Sequence, residues 1–437
     1  MGDATINKGS SFPPALDDGP ASVETVKVMT PAWAPLKREL FRALWIAAVV
    51  SNLGTWMHEV GASWLMTQLA PSPVMVSLIQ ATENLPFLML ALATGALADT
   101  FDRRRLLLLS QSWMLAAAAV LGVLTVLHWT TPGVLLALTF VLSLGNVLNG
   151  PSWQAILPEM VPRTEVTAAI SLNSVGFNVA RALGPALGGL VVASYGSGAV
   201  FLLNAVSFLG VIVVLRRWRR PRPVRSGPRE RLLPAVAKGL RFARSTPSIQ
   251  RVLARTSLFL VGASVLFSLL PLYVRDYLGK GAAGYGGLLG FFGLGAVIGG
   301  TLLPHLLHWR WVGQGRLLGG GVLLFADLLA LMAVRARYPL ACAAMFLAGF
   351  VWATVLSTFN TSVQLNAPEW VRGRVLAMYQ LTFAGMVFVF SAFWGYVAER
   401  LGIAQALLAA ALALAAGFLA IARFPVVIDP TPSEHQR

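Results

Sequence analysis

The sequence predicts an all-α integral membrane protein with twelve transmembrane helices in two pseudo-symmetric six-helix bundles. Of its 437 residues, 56% are hydrophobic and only 12% are charged, and the mean hydropathy of +0.69 lies outside the range of soluble domains. Runs of about 17 to 25 mostly apolar residues, each long enough to cross a hydrocarbon core, recur twelve times. The predicted helices are 41–67, 74–97, 106–128, 133–155, 168–193, 197–216, 252–274, 284–305, 316–334, 339–361, 374–398 and 402–422.

The charged residues between these runs predict the domain organisation and the orientation. The predicted units are an N-terminal tail 1–40, a first bundle 41–216, a basic central loop 217–251, a second bundle 252–422 and a C-terminal tail 423–437. Arginine is concentrated in the loops on the side of the two tails, so the positive-inside rule places both termini in the cytoplasm. The same rule accounts for the net charge of +16 without a nucleic-acid partner. Membrane lipid is the expected partner of the central loop, and a specific partner site there is the alternative.

A short internal repeat supports the division into two halves. The octapeptide Gln154–Val161 (QAILPEMV) recurs as Gln364–Val371 (QLNAPEWV), and each copy lies at the predicted cytoplasmic end of the fourth helix of its half. The shared position in both halves indicates duplication rather than coincidence.

The stretch from Gly95 to Arg105 predicts a short turn between the second and third helices. It contains Asp99 and Asp102, followed by three arginines in succession. Each ionised side chain at bilayer depth costs about 2.5 kcal/mol or more, so this turn lies at the membrane surface. Its excess of arginine indicates the cytoplasmic surface.

These features together resemble the major facilitator superfamily of transporters. Gly95, Asp99, Arg103 and Arg104 match the Gly-x3-Asp-Arg/Lys-x-Gly-Arg-Arg/Lys turn of that superfamily, and Asp102 stands where its glycine would be. The form Asp-x-x-Asp-Arg-Arg-Arg is similar to an exporter branch that includes siderophore and macrolide efflux proteins, called transmembrane secretion effectors. The resemblance implies the major facilitator fold over about residues 38 to 425.

The resemblance also implies a conformational role for the turn. In the superfamily the acid of the turn contacts the start of the eleventh helix and stabilises the outward-open state. Here that helix is predicted to start near Arg374, so Asp99 would meet a cation and a positive helix terminus. We therefore expect Asp99 to act as a conformational latch, with the neighbouring residues Gly95, Asp102, Arg103 and Arg104.

The fifth helix carries a second motif of this kind. Its segment Gly184-Pro185-Ala-Leu-Gly188-Gly189 is similar to the Gly-x3-Gly-Pro-x2-Gly-Gly motif of drug:proton antiporters. Small residues four apart allow a neighbouring helix to approach closely, and a proline inside a helix bends it. The segment predicts a gate, and simple helix packing is the alternative.

A third antiporter motif is incomplete. On the fourth helix the frame Leu-x3-Arg-x2-Gln-Gly holds Asn146 in place of its arginine. In the superfamily that arginine is linked to proton relay, so the resemblance implies that the proton site of this chain lies elsewhere.

Ionisable residues inside the predicted helices are functional candidates, because lipid exposure of a charge is costly. Glu83 lies roughly 18 Å from Gly95 along the second helix, near the membrane midplane. It is the first candidate for a site that binds and releases a proton, and a structural carboxylate is the alternative. Arg181 in the fifth helix needs a partner, which Glu83 or Glu59 can supply. Asp327 in the ninth helix is the candidate from the second half.

Polar and aromatic side chains of the helices are expected to line a substrate cavity. The candidates are Asn52, Trp56, Asn146, Asn149, Trp153 and Phe383. For the tryptophans, anchoring at the membrane interface is the alternative.

No pattern predicts catalysis, a metal site or a bound cofactor. The phosphate-binding pattern Gly-x4-Gly-Lys-Ser/Thr is absent from the sequence. The glycine-rich stretch 281–295 opens an apolar helix and is expected to pack against another helix. The single cysteine, Cys342, excludes an intramolecular disulfide and a multi-cysteine metal cluster.

The sequence and the resemblance together predict a secondary active transporter of the inner (plasma) membrane, monomeric and not an enzyme. Inward proton movement would drive the export of small amphipathic molecules such as drugs or siderophores. One alternative is a lysophospholipid or nutrient carrier of the same fold. The other is a non-transporting scaffold or receptor, against which Glu83 and Arg181 argue, since a scaffold has little reason to bear their desolvation cost.

Overall fold

The computed structural model of the chain describes residues 31–100, 102–218, 241–308, 314–334 and 337–422. Side chains are described in these ranges except at 91–100, 304–308, 314–317, 369–370 and 420–422. Every regular element in the described ranges is helical. The predicted C-terminal tail and most of the predicted N-terminal tail and central loop lie outside the described residues.

The described residues of the first half form six helices. The last two of these helices follow each other directly and are separated only by a break at one residue. Helices α1 to α4 are Glu39–Leu69, Pro73–Thr100, Arg103–Val126 and Pro132–Ile156. The next element, Val166–Arg217, is 52 residues long and is interrupted at Gly196, whose φ of 80° and ψ of 168° are not helical. Glycine adopts this positive φ at little cost. The break confirms the predicted separation of two helices, here α5 (166–195) and α6 (197–217).

The second half contains the remaining helices. They are α7 (Pro247–Leu272), α8 (Ala282–His308), α9 (Gln314–Ala333), α10 (Tyr338–Asn366), α11 (Glu369–Leu401) and α12 (Ile403–Ala422). A π-helical turn, Tyr273–Tyr277, extends α7. Within the described ranges, eight helices are long and apolar enough to cross a membrane when α5 and α6 are counted as one, and Leu318–Ala333 and Ile403–Leu419 are shorter apolar helices. The chain is therefore a membrane protein.

Several helices extend beyond their predicted ends. Helix α7 begins at Pro247 and not at 252, α10 ends at Asn366 and not at 361, and α11 begins at Glu369 and not at 374. Counting apolar residues stops at the first charges, whereas a helix continues into the interfacial region, where water solvates those side chains. Helix α7 therefore begins within the segment predicted as the central loop, and Arg374 lies inside α11 rather than at its first residue.

Side-chain contacts sort the helix ends onto two faces of the molecule. On the first, which we call the arginine face, Arg38 before α1 pairs with Glu165 before α5, at 2.9 Å. On the other, the opposite face, Tyr277 after α7 accepts a hydrogen bond from the backbone N–H of Ala404 at the start of α12. The 2–3 turn and the first copy of the repeat lie on the arginine face.

Helix α5 is packed closely on two sides. A Cβ on Gly188 would lie 2.8 Å from the Cα of Met57 in α1. A Cβ on Gly189 would lie 2.6 Å from the carbonyl oxygen of Ala282 and 2.8 Å from the Cα of Gly286 in α8. Since real Cβ atoms do not approach other atoms so closely, only glycine permits these backbone distances. The glycine-rich start of α8 thus packs against α5, as predicted.

We expect the substitution Gly189→Ala to lower the melting temperature of the purified protein by a few degrees. Overpacking a close interface costs about 1–3 kcal/mol. The matched control is Gly133→Ala in the first turn of α4, because a Cβ there meets no atom within 4 Å. Thermal unfolding followed by tryptophan fluorescence measures both. Equal stability of the two variants would contradict the close packing of α5 against α8.

Candidate functional site

The arginines of the 2–3 turn bind structural groups at the arginine face. The Arg103 guanidinium pairs with the carboxylate of Glu159, which lies just beyond α4, at 2.9 Å. It also donates to the backbone oxygen of Ala155 in the last turn of α4. Arg104 donates to the backbone oxygens of Leu215 and Arg216 at the end of α6, at 2.7 and 2.9 Å. These bonds satisfy carbonyls that have no partner within their helix.

Asp102 begins α3. Its carboxylate accepts a hydrogen bond from the backbone N–H of Arg105 at 2.9 Å, which makes it the N-cap of the helix. An aspartate at this position, where the superfamily turn has glycine, therefore has a local structural explanation.

The predicted latch contact is only partly described. The backbones of Gly95 and Asp99 belong to the last turns of α2, but their side chains lie outside the described residues. Arg374 lies in the second turn of α11, where we placed the start of the helix from the sequence. The latch role of Asp99 therefore stays a prediction.

Three charged side chains of the first half form a group inside the bundle. Glu59 of α1 interacts electrostatically with Arg181 of α5 and with Glu83 of α2. The Arg181 guanidinium also lies over the ring of Trp56, with 5.8 Å between its central carbon and the ring centroid. Of the two partners that the sequence left open for Arg181, the structure favours Glu59. Two carboxylates and one guanidinium thus share one site, which we call the charged triad.

The charged triad lies at the seam between the two halves. Gln80, one turn before Glu83, donates a hydrogen bond to that carboxylate at 3.2 Å. Tyr285 of α8 comes from the second half, is buried, and interacts with Glu83, Glu59 and Ser63. Its ring stacks on Trp64 of α1 with centroids 6.2 Å apart. Tyr285 therefore connects the second half to the triad. Apart from its place in the glycine-rich stretch, no sequence pattern marked this residue as part of the site.

Contacts between the halves close the opposite face. The hydroxyl of Ser72, before α2, donates to the Glu399 carboxylate of α11 at 2.6 Å, and the backbone N–H of Val74 donates to the same oxygen at 3.2 Å. The Arg275 guanidinium at the end of α7 donates to the backbone oxygen of Thr67 in α1. The close approach of Gly189 to α8 lies in the same region. In this conformation the halves are therefore held together at the opposite face.

Asp327 does not belong to this group. Its side chain is exposed on the face of α9 that also carries the exposed Leu323, Leu324 and Leu331. Asp327 thus lies apart from the charged triad, and a role for it in proton coupling stays a prediction. Within the described residues, no group of three His, Cys, Asp or Glu side chains is placed to hold a metal ion.

A cavity of about 450 Å³ lies in the arginine-face half of the first bundle. Helix α4 packs mainly against α2 and α3, while α1 packs mainly against α5 and α6, so a gap remains between the two groups. The lining side chains are uncharged, most of them amides, hydroxyls and aromatic rings: Ser51, Asn52, Thr55, Gln111, Asn146, Asn149, Trp153, Gln154, Asn173, Ser174, Phe177, Asn178 and Phe208. Small and aliphatic residues complete the wall.

Four predicted cavity residues lie in this wall, namely Asn52, Asn146, Asn149 and Trp153. The two others lie elsewhere. Trp56 is covered by Arg181 and meets Phe177 edge-on, with centroids 6.1 Å apart. Phe383 of α11 packs edge-on against Trp352 in the core of the second half, with centroids 6.2 Å apart.

Several lining residues were missed by the sequence analysis. Gln111 stands in the apolar run of α3, and Phe208 in that of α6, two helices from which the sequence analysis named no cavity candidate. Asn173 and Asn178 stand at the start of α5. A buried amide within an otherwise apolar run, such as Gln111, is a signal that could have identified the site, because an amide is buried only at a cost unless it is bonded.

Comparison with known proteins agrees with this architecture. The multidrug efflux pump Tap of Mycolicibacterium fortuitum is 27% identical over 354 residues, which are 78% of this chain and 85% of that protein. The staphyloferrin A transporter of Staphylococcus aureus is 30% identical over 165 residues, 37% of this chain and 42% of that protein. The inward-facing, unoccupied crystal structure of a bacterial homologue of the human lysosomal transporter Spinster has a TM-score of 0.72 at 14% identity, covering 90% of this chain and 98% of that one.

The structural likeness shows the fold, and the sequence matches show the family. Both named relatives are transporters, not enzymes. The family model described as transmembrane secretion effector matches residues 30–435, almost the whole chain. The chain therefore belongs to the transmembrane secretion effector family of the major facilitator superfamily of transporters.

Proposed function

We propose that this transporter is a proton-coupled exporter of small amphipathic molecules that works by alternating access. The observation that carries the proposal is the charged triad Glu59, Glu83 and Arg181 at the seam between the halves. The one cation balances only one of the two carboxylates. The triad is therefore electrically neutral when a single proton is bound, and carries one negative charge when it is released.

This charge balance couples protonation to conformation. A net charge is unfavourable inside a closed, water-poor seam, so the closed state favours the protonated triad. Opening either face admits water, which stabilises the charged state and lets the proton leave. Because Tyr285 of the other half interacts with both carboxylates, the protonation state bears directly on how the halves dock.

Alternating access requires that the contacts of the opposite face can separate. The bonds of Glu399 to Ser72 and Val74 lie near helix ends at the surface, where water can replace them. The α5–α8 contact consists of small residues without interlocking side chains. Two bundles joined in this way can rock about the triad.

We further propose that α1 to α12 all cross the cell (inner) membrane, with the arginine face and both termini in the cytoplasm. The arginines at 38, 103–105, 163, 216–217, 372 and 374 lie on the arginine face, and Arg275, Arg337 and Arg400 on the opposite face. The positive-inside rule supports this orientation. The transporter is proposed to act as a monomer, with lipid contacting the basic central loop. It is proposed to need no cofactor, because the proton gradient supplies the energy.

The substrate proposal draws on the relatives. Tap is named as a multidrug efflux pump, and the Staphylococcus aureus protein as a transporter of staphyloferrin A. Drugs and siderophore-like compounds are therefore the first compounds to test, and export is the proposed direction.

We expect Glu59→Gln and Glu83→Gln to lose most of the gradient-driven transport of the reconstituted protein, because an amide cannot carry the proton. The assay imposes a pH gradient on proteoliposomes and follows a panel of fluorescent drugs, siderophores and neutral glycosides. Exchange without a gradient should persist, since neither substitution changes the cavity wall.

The matched control is Asp327→Asn, an equivalent change of an acid on an exposed helix face. It should leave gradient-driven transport at the wild-type rate. Wild-type rates in both glutamine variants would remove the triad from the coupling role. If the gradient drives the substrate towards the cytoplasmic side of the protein, the proposed direction of transport is wrong. The absence of any flux would indicate a scaffold or receptor.

The latch prediction is tested separately with Asp99→Asn. If Asp99 holds the arginine face closed in one state, its loss should raise the labelling rate of a cysteine at Asn146→Cys, which lies exposed in the cavity. The background is Cys342→Ser, since Cys342 is the single native cysteine. Asp102→Asn is the control, because asparagine caps a helix as well as aspartate does. If both variants are labelled at the rate of the protein with the native turn, the turn is only a topological anchor.

A further inference from the structure

The wall of the cavity differs in kind from the charged triad. None of its lining residues is ionisable, and its polar groups are dominated by amides. An amide or a hydroxyl both donates and accepts hydrogen bonds. The volume of the cavity, about 450 Å³, is in the range of small-molecule sites. The wall therefore suits a molecule whose own groups also donate and accept.

We propose that this cavity binds the uncharged, polyhydroxylated part of the substrate, such as the sugar of a glycoside. The inference rests on the proposed transport function and names the substrate class of the same protein.

Unused hydrogen-bonding capacity in the wall supports this class of ligand. Gln111 is only 3% exposed, and its Nε2 donates to the Asn149 side-chain oxygen at 3.1 Å. Its own side-chain oxygen, Oε1, has no donor. Within the described residues, the amides of Asn52 and Asn146 make no hydrogen bond to the protein either. A buried acceptor without a donor costs free energy. A ligand hydroxyl that donates to this oxygen removes that cost, which outweighs the loss of the hydroxyl's own hydrogen bond to water.

The remaining polar groups hold the wall in place. Trp153 donates from its indole nitrogen to the Asn173 side chain at 3.1 Å, and Asn178 donates to the backbone oxygen of Ser174 at 2.9 Å. Trp153, Phe177 and Phe208 add aromatic surface between the amides. The apolar C–H face of a sugar ring packs against such surface while its hydroxyls reach the amides.

Charged ligands are disfavoured by the same wall. Arg181 does not line the cavity, and its guanidinium lies over Trp56 and interacts with Glu59. An ion in the cavity would therefore lose its hydration without meeting an opposite charge. The charged triad and the cavity are distinct sites with different ligands, a proton and an uncharged molecule.

The test measures binding to the protein in lipid nanodiscs, which avoids detergents that are themselves glycosides. The probes are 4-methylumbelliferyl-β-D-glucoside as the uncharged glycoside and ethidium as a cation of similar size, followed by fluorescence polarisation. We expect the glucoside to bind more tightly than ethidium. Gln111→Leu should weaken glucoside binding about tenfold, because it removes two hydrogen-bonding groups.

Two further variants keep the test decisive if Gln111→Leu fails to fold. Asn146→Asp, at an exposed position in the wall, should weaken the glucoside and strengthen ethidium several-fold by supplying a counter-charge. Gln405→Glu in the first turn of α12, away from the cavity, should change neither.

The outcomes separate this inference from the proposed function, because binding needs no gradient. Glucoside binding that depends on Gln111 and Asn146 supports the inference even if no proton-driven flux is seen. Ethidium binding at least as tight as that of the glucoside, with neither affinity changed by Asn146→Asp, overturns it, even if proton-driven export of cations is found.

Discussion

The close packing of α5 between α1 and α8 is the constraint on which the rest of the structure depends. Gly184 and Gly188 face α1, while Gly189 faces α8, so one helix contacts both halves at backbone distance. Arg181 stands less than one turn before Gly184 and is carried by that packing to Trp56 and Glu59. Without glycine on both faces, α5 could not hold the triad and the seam together.

The same packing accounts for where the cavity lies. Because α1 is bound to α5 and α6, and α4 is bound to α2 and α3, the arginine-face half of the first bundle is not filled between α1 and α4. At the surface, the bond of Arg104 to the end of α6 joins the two groups, while the bond of Arg103 to Glu159 beyond α4 stays within one of them. The cavity thus lies between α1 and α4, which contact each other little, while α3 joins the two groups by packing against the 166–217 element.

The sequence predicted the parts of this fold that depend on one residue at a time. Apolar runs located the helices, and the gap between the runs 168–193 and 197–216 predicted the break that the structure has at Gly196, because hydropathy is a local property. Ends such as Pro247 were missed, because a helix does not stop at the edge of the hydrocarbon. The exposure of Asp327 was not predicted, because depth along a helix does not determine which face of the helix looks inward.

In the site, too, the identity of single residues was predictable from the sequence, whereas the pairing between residues of different helices was not. Glu59, Glu83 and Arg181 were recognised as costly residues within apolar helices, but the choice of Glu59 as the partner of Arg181 depends on how α1 packs on α5. Gln111 and Tyr285 reach their places from helices α3 and α8. The amide in the apolar run of α3 marks Gln111 as a candidate, but the run does not predict which helices it meets. Tertiary packing, which sets distances between helices, decides these pairings.

The aromatic pair Trp56 and Phe177 links the two sites physically. Phe177 is part of the cavity wall, and its ring meets the edge of Trp56, which in turn lies under the Arg181 guanidinium. A molecule that moves Phe177 therefore changes the surface on which Arg181 rests, and with it the balance between Arg181 and Glu59. Rings in contact transmit displacement because a packed interior has little free volume to absorb it. The uncharged cavity and the charged triad are consequently not independent, although they have no lining residue in common.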